Sequence, residues 1–380
     1  MKICVVGLGN IGFNLFTYLD QKYSGDVIGV DVNEHRVKEL QQQGYSVTGD
    51  YKDIQGIDVW LMAPSTGSQG ENLFSALNNM QITPGSLISI ESTLPLGTMR
   101  RVREFLETKG FVLGEDIFLI HVPHRVMFGV DKTVCDTPRV MGAFTNACME
   151  KGRQFYNPLV PLLVEVSNIQ VAELSKVVEN VKRYLDVAFA QEIYGYCVDQ
   201  GMDYEELRRA VNSKSNVELL GTDWGIGGEC LPKDMGFLRT VCDSPLLAGA
   251  ELADKEYRDR IVRQVGSGKE IIVKGLSYKT GVKDLKHSRG VDLVKALEAA
   301  GNTVWVEDPL FTSTELKDAG FEVYVEDDQE RGKKDLTMDV NQVVLERQKA
   351  LTPNTISRRR TAQELKNSKF FSKIRGKRSK

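Results

Sequence analysis

One octapeptide in the second half of the sequence combines a thiol, a glycine pair, a lysine and a carboxylate. It reads Gly-Gly-Glu-Cys-Leu-Pro-Lys-Asp and runs from Gly227 to Asp234. A thiol such as that of Cys230 can add to an aldehyde as a thiohemiacetal and can then carry a thioester. Lys233 would help to hold the thiolate, because a nearby cation lowers a cysteine pKa. Gly227 and Gly228 would let a ligand approach closely, since glycine has no Cβ. A tight turn beside a buried thiol is the alternative interpretation.

The N-terminus carries a glycine pattern that binds the pyrophosphate of a dinucleotide. Lys2–Val6 is typical of a buried strand and runs into Gly-Leu-Gly-Asn-Ile-Gly, after which a helical stretch begins. The first glycine makes the turn, the second lets the pyrophosphate approach, and the third lets the helix pack closely on the strand. The helix N-terminus favours the anion. The predicted cofactor contacts in this loop are Gly7, Gly9, Asn10, Ile11 and Gly12.

The acid after the second predicted strand favours NAD over NADP. That strand covers Asp26–Val30, and Asp31 lies 19 residues beyond Gly12. A carboxylate near this spacing binds ribose hydroxyls, and its charge would repel a 2′-phosphate. Arg36 is a further predicted cofactor contact, and its charge keeps NADP open as an alternative.

The composition indicates a soluble enzyme of two or three domains. The chain has 380 residues, of which 41% are hydrophobic, so sizeable cores can form. A net charge of −3 argues against a general nucleic-acid binder, and no apolar run approaches the roughly 20 residues of a membrane span. The chain starts with a strand rather than a signal peptide. Four histidines and six scattered cysteines show neither a metal-binding pattern nor a disulfide framework. We therefore expect a cytoplasmic protein without a metal ion.

The first 165 residues alternate short apolar strands with helical stretches. This alternation predicts an α/β domain with a doubly wound, Rossmann-like parallel sheet. The further predicted strands are Val59–Met62, Leu87–Ile90 and Ile117–Ile120. Active residues of such a sheet lie beyond the carboxyl ends of its strands. The segments found there, 91–98 and 121–126, contain Thr93 and His124.

Residues 166–265 are predicted to form a helical central domain. Its main element is a long helix from Ile169 to Gln200, which has few breakers and a helical apolar rhythm. Because a long helix after a nucleotide domain commonly bridges domains or subunits, we expect a homodimer. Lys176 and Asn180 are four residues apart and therefore project from the same face of this helix. From spacing alone, a solvated polar stripe is the alternative interpretation.

Residues 266–330 resemble the first half of a second nucleotide-binding sheet. The predicted elements are strands at Glu270–Val273, Thr303–Val306 and Phe321–Val325 and a helix at Asp292–Ala300. They predict a shortened C-terminal α/β domain. Beyond residue 330 the apolar pattern stops, and residues 331–380 are polar with basic clusters. Such a run is typical of a mobile, solvated tail, and contact with an anionic surface or a nucleic acid is the alternative.

Five motifs in order resemble the UDP-glucose/GDP-mannose dehydrogenase family over about residues 1–325. They are Gly7–Gly12, Ser92–Thr98, Lys176–Asn180, Gly227–Asp234, and Gly275–Lys279 taken with Asp284–Ser288. The resemblance implies an NAD-binding domain, a helical dimerisation domain and a nucleotide-sugar domain. It also implies oxidation of a sugar C6 alcohol to the carboxylate with two NAD.

The resemblance implies a catalytic role for side chains in three of these motifs. Cys230 would be the nucleophile. Lys176 and Asn180 would stabilise the oxygen charge that develops at C6, as an oxyanion hole does. Asp234 would transfer protons together with Lys176 and a water, and Thr93 would help to order that water.

The resemblance also implies substrate and cofactor contacts. Contacts to the nucleotide sugar are expected from Lys233, Gly227, Gly228 and Lys279. Lys286 stands where the family usually has an arginine that reaches the NAD site. Lysine keeps the charge there but loses the planar fork.

One departure from the family pattern lies at position 124, where the family usually has glutamate after proline. His124 could act there as a general base in the hydrolytic half of the reaction. The following Arg125-Val126 resembles the branch that oxidises UDP-N-acetylhexosamines. A two-electron hydroxyacid dehydrogenase and a catalytically impaired binding homologue stay open. The Cys230 motif argues against the former, because one hydride transfer needs no thioester.

Overall fold

The computed structural model describes most of the chain. The described residues are 1–23, 26–67, 69–126, 133–222, 225–277, 283, 285–286, 288–324, 336–340 and 342–347. They form a sheet at each end of the sequence and a helical region between the two.

The first sheet has eight strands within the described residues. They are β1 Ile3–Val6, β2 Val27–Val30, β3 Val47–Thr48, β4 Val59–Met62, β5 Leu87–Ile90, β6 Phe118–His121, β7 Arg139–Ala143 and β8 Leu163–Val166. Their spatial order is β3-β2-β1-β4-β5-β6-β7-β8, and β6 and β7 form the antiparallel pair of this sheet. The 3-2-1-4-5-6 order is that of dinucleotide-binding folds. The predicted strands are present, with β1, β2 and β6 each starting one residue later than expected.

Helices cover both faces of the first sheet. They are α1 Asn10–Lys22, α2 Glu34–Gln42, α3 Glu71–Asn79, α4 Thr98–Thr108 and α5 Asn146–Tyr156. Successive side chains of a strand point to opposite faces, so one strand contributes to two cores. In β1, Ile3 and Val5 pack with α1, α2 and α5, whereas Cys4 and Val6 pack with α3 and α4. The predicted doubly wound sheet is confirmed.

The central region consists of helices. They are α6 Ile169–Gln200, α7 Tyr204–Val211, α8 Cys230–Arg239 and α9 Pro245–Val265. The long helix α6 has the predicted limits. It begins after Asn168, whose side chain accepts a hydrogen bond from the backbone N–H of Gln170, and it ends at Gly201 in the left-handed conformation. Buried side chains of α6 pack against α8 and α9.

The second sheet lies at the C-terminal side. Within the described residues its strands are β9 Glu270–Lys274, β10 Thr303–Glu307, β11 Leu336–Asp339 and β12 Gln342–Arg347, and its helices are α10 Arg289–Ala299 and α11 Ser313–Asp318. The strand order is β10-β9-β11-β12, with β12 antiparallel to β11. Its core also takes side chains from the second half of α9, including Tyr257, Ile261 and Val265.

Two predictions for this part of the chain are wrong. The segment that starts at Phe321 is not a strand in the described residues, because only Val323 forms a bridge, to Val306 of β10. The tail was predicted to begin at residue 331, yet β11 and β12 belong to the sheet, and Met338 and Val340 are buried. The pattern of β11 is weak because it has four residues, of which Thr337 and Asp339 are polar. Residues 348–380, where most of the predicted tail falls, lie outside the described residues.

Candidate active site

The glycine loop after β1 has the shape that a dinucleotide requires. Gly7 has a φ of +86°, and a Cβ there would come within 2.7 Å of neighbouring backbone. A Cβ on Gly12 would lie 1.8 Å from the carbonyl oxygen of Gly7, so only glycine lets α1 pack this closely. At Gly9, apart from Gly9 itself and its two neighbours in the chain, no atom of the described residues lies within 4 Å of the Cβ position. This is the side from which pyrophosphate approaches, towards the N-terminus of α1 with Asn10 and Ile11.

Asp31 directly follows β2, and its carboxylate contacts the backbone of the glycine loop. Its Oδ2 accepts a hydrogen bond from the backbone N–H of Leu8 at 2.7 Å, and its Oδ1 accepts one from that of Asn33 at 2.8 Å. A carboxylate oxygen can accept about two hydrogen bonds, so the half-buried group retains capacity for ribose hydroxyls. The backbone contacts fix the orientation of the carboxylate before a cofactor binds.

The charge of Arg36 is compensated by partners within the protein. Its Nε donates to the carbonyl oxygen of Leu8 at 3.3 Å, and one terminal nitrogen lies 2.9 Å from Oε2 of Glu39. Its guanidinium carbon lies 4.6 Å from the ring centroid of Phe13. These contacts compensate a charge that could otherwise attract a 2′-phosphate, and they favour NAD.

We expect Asp31→Ala to weaken NAD binding and to narrow the preference for NAD over NADP. The loss of charge-assisted hydrogen bonds should raise the Kd for NAD at least about tenfold, because each contributes about 1.5–3 kcal/mol. Calorimetric titration with NAD and NADP measures both effects without a sugar substrate. Asp31→Asn is the matched variant that removes charge but keeps one acceptor oxygen. If the ratio of the Kd for NADP to the Kd for NAD stayed unchanged in both variants, the role of Asp31 would be contradicted.

Cys230 is the first residue of α8. Helix starts concentrate unpaired backbone N–H groups, and the thiol at this one is exposed. Gly228, with a φ of +85°, provides the left-handed turn that leads into the helix. The surrounding protein removes enough water to raise the pKa of the Cys230 thiol, while Lys233 and Lys176 oppose this rise. The predicted support of the thiolate by Lys233 is thus present, but it does not outweigh desolvation.

Asp234 is buried where α8 meets α6. Its Oδ2 accepts a hydrogen bond from Nδ2 of Asn180 at 2.5 Å, and its Oδ1 lies 3.6 Å from Nζ of Lys233. Burial raises the pKa of the Asp234 carboxyl, and the charges of Lys233 and Lys176 hold it down. Lys176 therefore acts electrostatically on the thiol and on the carboxylate. Asn180 faces α8 rather than solvent, so the alternative of a solvated stripe fails for it.

His124 belongs to a buried cluster at the carboxyl ends of β5 and β6. Its Nε2 lies 3.0 Å from Oε2 of Glu91, and its Nδ1 lies 3.3 Å from a terminal nitrogen of Arg139. The other terminal nitrogen of Arg139 lies 2.6 Å from the same Glu91 oxygen. The hydroxyls of Ser89 and Tyr156 donate to Oε1 of Glu91. We call these side chains the Glu91 cluster.

Charges within the Glu91 cluster fix its protonation near neutral pH. Burial alone would raise the pKa of Glu91, but Arg139 and His124 lower it to about 2. Burial, and then the charge of Arg139, lower the pKa of His124 to about 4. Glu91 is therefore ionised and His124 neutral. Because the ring nitrogens of His124 face partners inside the cluster, the geometry favours a positioning role, and its part in hydrolysis stays a prediction.

We expect the protein to lose stability on acidification in two overlapping ranges. His121 is also buried, and burial lowers its pKa to about 4. Below pH 6.5 both histidines become protonated in the unfolded state, whereas in the folded state they stay neutral down to about pH 4. The free energy of unfolding therefore falls between about pH 6.5 and 4. Glu91 adds a loss between about pH 4.5 and 2. Urea unfolding across this pH range measures the effect, and a flat profile from pH 7 to 5 would contradict it.

The remaining predicted site residues lie in three places. Thr93 is half-buried in the loop after β5, and its carbonyl oxygen accepts a hydrogen bond from the Thr66 hydroxyl at 3.2 Å. Lys286 is exposed and lies shortly before α10, which belongs to the second sheet region. Lys279 lies outside the described residues. Within the part of the chain that the structure describes, no group of three or more His, Cys, Asp or Glu side chains could hold a metal ion.

The sequence did not identify the partners of His124. Glu91 and Arg139 are 48 positions apart and meet only because β5, β6 and β7 are adjacent. One signal was available. Glu91 is a carboxylate placed directly after the buried strand β5, and a buried charge needs a partner.

Family models match two parts of the chain. The NAD-binding domain of the UDP-glucose/GDP-mannose dehydrogenase family matches residues 1–53. The central domain of the same family matches residues 170–252, which include Lys176, Asn180, Cys230 and Asp234. The cofactor of the chain is therefore NAD, and the open glycine loop and the oriented Asp31 fit it.

Curated relatives and a solved structure extend the similarity over most of the chain. The UDP-N-acetyl-D-mannosamine dehydrogenase of Methanococcus maripaludis is 26% identical, with 81% of this chain and 79% of the relative covered. The NDP-N-acetyl-D-galactosaminuronic acid dehydrogenase of Ralstonia nicotianae is 28% identical, with 81% and 82% covered. The structure of UDP-N-acetyl-mannosamine dehydrogenase from Staphylococcus aureus superposes with a TM-score of 0.74 at 25% identity, covering 90% of this chain and 88% of that chain.

Proposed function

Because the chain belongs to the UDP-glucose/GDP-mannose dehydrogenase family, we propose that it oxidises the C6 alcohol of a nucleotide sugar to the carboxylate. The observation that carries this proposal is the exposed thiol of Cys230 beside Lys176, Asn180 and Asp234. The names of the relatives and the Arg125-Val126 sequence favour a UDP-N-acetylhexosamine as substrate, with a UDP-hexose as the other choice.

The oxidation needs two hydride transfers, and NAD supplies the hydride acceptor for each. Lys176 and Asn180 stabilise the oxygen charge that develops at C6. After the first oxidation, the sulfur of Cys230 forms a C–S bond to the aldehyde carbon. The second oxidation gives a thioester, and water then breaks the C–S bond and returns the thiol. In total, one alcohol, one water and two NAD⁺ give one carboxylate, two NADH and three protons.

Asp234 is the proton acceptor that we assign for the water. Its buried Oδ1 accepts no hydrogen bond from the described residues, although Nζ of Lys233 lies 3.6 Å away. Its other oxygen accepts a hydrogen bond from Asn180. A carboxylate whose pKa is raised by burial is a better base at neutral pH than an exposed one. Thr93 would help to order the water, and the neutral His124 would have a positioning role.

One experiment tests this function against the alternatives. The purified protein is incubated with NAD and a panel of UDP- and GDP-sugars, and NADH and acidic sugar are counted. The proposal expects two NADH for each acid formed. A single NADH with a hydroxyacid substrate would indicate a two-electron dehydrogenase. NAD binding without turnover of any sugar in the panel would indicate an impaired binding homologue.

We also propose a homodimer that forms through α6. Large apolar side chains are exposed on it at spacings of 7, 11 and 7 residues, which fall on one helical face: Val171, Val178, Phe189 and Tyr196, exposed by 49%, 45%, 61% and 58%. An apolar stripe of this kind marks an interface.

Sedimentation should therefore show a dimer at micromolar protein, and Phe189→Asp with Tyr196→Lys should give a monomer. Val112→Asp is the matched control, because Val112 is 50% exposed and belongs to the segment between α4 and β6 rather than to α6. A wild-type monomer, or a dimer that survives the double substitution, would contradict this assembly.

A further inference from the structure

Arg289 belongs to the third domain, but its side chain lies against the loop that precedes Cys230. One terminal nitrogen donates to the carbonyl oxygen of Gly225 at 2.9 Å. Its Cγ and Cδ fill the space over Gly227, where a Cβ would lie 2.0 and 2.6 Å from them. The arginine can pass only because position 227 has no side chain. The start of α10 therefore contacts Gly227, which lies three positions before the exposed Cys230 in the chain.

The central domain holds the same loop from the other side. Asp254 of α9 accepts a hydrogen bond from the backbone N–H of Ile226 at 2.7 Å. Arg258, one turn further along α9, lies 3.2 Å from the second oxygen of Asp254. A Cβ on Gly225 would come within 2.8 Å of the Arg258 side chain. The loop position is thus set jointly by α9 and by Arg289.

The neighbours of Arg289 fix the start of α10 to the second sheet. The Ser288 hydroxyl donates to the carbonyl oxygen of Leu276 at 2.5 Å, and a Cβ on Gly290 would lie 3.0 Å from Cα of Leu276. The next residue, Ser277, donates its N–H and its hydroxyl to Asp308, at 2.6 and 2.8 Å. This loop lies at the carboxyl ends of β9 and β10, where such sheets bind ligands.

We propose that Arg289 is a positioning residue, which couples the ligand-binding edge of the second sheet to the geometry of the Cys230 loop. A nucleotide sugar held at this edge then sets the position of the thiol through the contact of Arg289 with Gly225 and Gly227. The inference rests on the proposed function, since it takes Cys230 as the nucleophile. It adds a residue that does not touch the reacting carbon.

Thiol reactivity tests the contact independently of turnover. In the full chain, alkylation of Cys230 by iodoacetamide is followed by peptide mass spectrometry, and the exposed Cys242 is the internal control. Arg289→Met keeps the aliphatic part and removes the hydrogen bond. It should change the Cys230 rate about fivefold, because a bond worth about 1 kcal/mol then no longer holds the loop. Arg289→Lys should restore part of the wild-type rate, and Cys242 should be unaffected.

A complementary pair tests the close packing. Gly227→Ala should lower kcat and change the Cys230 alkylation rate, because its methyl group would collide with Cγ of Arg289. Adding Arg289→Ala to Gly227→Ala should bring kcat and the alkylation rate to the values of Arg289→Ala alone, because the collision is then removed. Gly236→Ala is the matched control, because outside the adjoining backbone of α8 no atom of the described residues lies within 4 Å of its Cβ position.

The outcomes separate this inference from the proposed function. Arg289→Met should lower kcat while the KM for NAD stays constant, with thermal unfolding confirming that the variant is folded. The coupling would be overturned if Gly227→Ala lowered kcat equally in the presence and absence of the Arg289 side chain. It would also be overturned if Cys230 in Arg289→Met were alkylated at the wild-type rate. If the Cys230→Ser variant still forms acid with two NADH, the proposed role of Cys230 as the nucleophile fails, whatever the alkylation rates show.

Discussion

The Cys230→Ser variant should form no sugar acid. The loss of a covalent nucleophile is among the largest single-residue effects in enzymes, so we expect acid formation to fall by roughly 10³-fold or more. A serine hydroxyl is far less ionised than a thiol near neutral pH, so thioester formation should stop. Under single-turnover conditions, the acidic product and the second NADH should be lost together, whereas the first hydride transfer does not require the sulfur.

Cys242→Ser is the matched control for this prediction. Cys242 is exposed and follows α8, so its substitution should leave both products at the wild-type level. The covalent mechanism would be wrong if Cys230→Ser kept full activity. It would also be wrong if the wild-type protein released one NADH and free aldehyde per sugar, a result that would favour the two-electron dehydrogenase.

Arg139→Leu should cause the largest loss of stability that we expect from a single substitution. It would leave the fully buried carboxylate of Glu91 without its main counter-charge, and breaking a buried ion pair costs about 3–5 kcal/mol. Urea unfolding, compared at constant pH, measures the change in the free energy of unfolding. NAD binding should weaken only to the extent that folded protein is lost.

An exposed ion pair provides the control for this effect. Arg103 and Glu107 pair at 2.7 Å on α4, and their side chains are 47% and 43% exposed. Arg103→Leu should therefore cost less than about 1 kcal/mol. Adding Glu91→Leu to Arg139→Leu should recover part of the loss, because the unpaired charge is removed. Equal costs for the two arginine substitutions would refute the account of the Glu91 cluster.

Local patterns were enough to predict the parts of the site that depend on short sequence spacing. The glycine loop and Asp31 belong to one strand-helix-strand unit, and the rhythm of α6 gave its limits. The Cys230 motif is one turn of chain followed by the start of a helix.

Contacts between distant segments were beyond such patterns. The Glu91 cluster forms from β5, the segment after β6, β7 and α5, and the side chain of Arg289 crosses from α10 to the Cys230 loop. The strand β11 was missed for a similar reason. Its place in the sheet depends on pairing with β9, which is more than 60 residues earlier in the sequence.

Helix α6 has a consequence for how the molecule unfolds. Its 32 residues span about 48 Å at the usual rise, without a break. Its first residue packs in one core of the first sheet, its middle contacts α8 and α9, and Tyr194 near its end packs against the core of the second sheet. Helix α9 is shared in the same way by the central region and the second sheet. Melting of one core therefore frays a helix that another core buries, so the two sheets and the helical region should denature as a single cooperative unit.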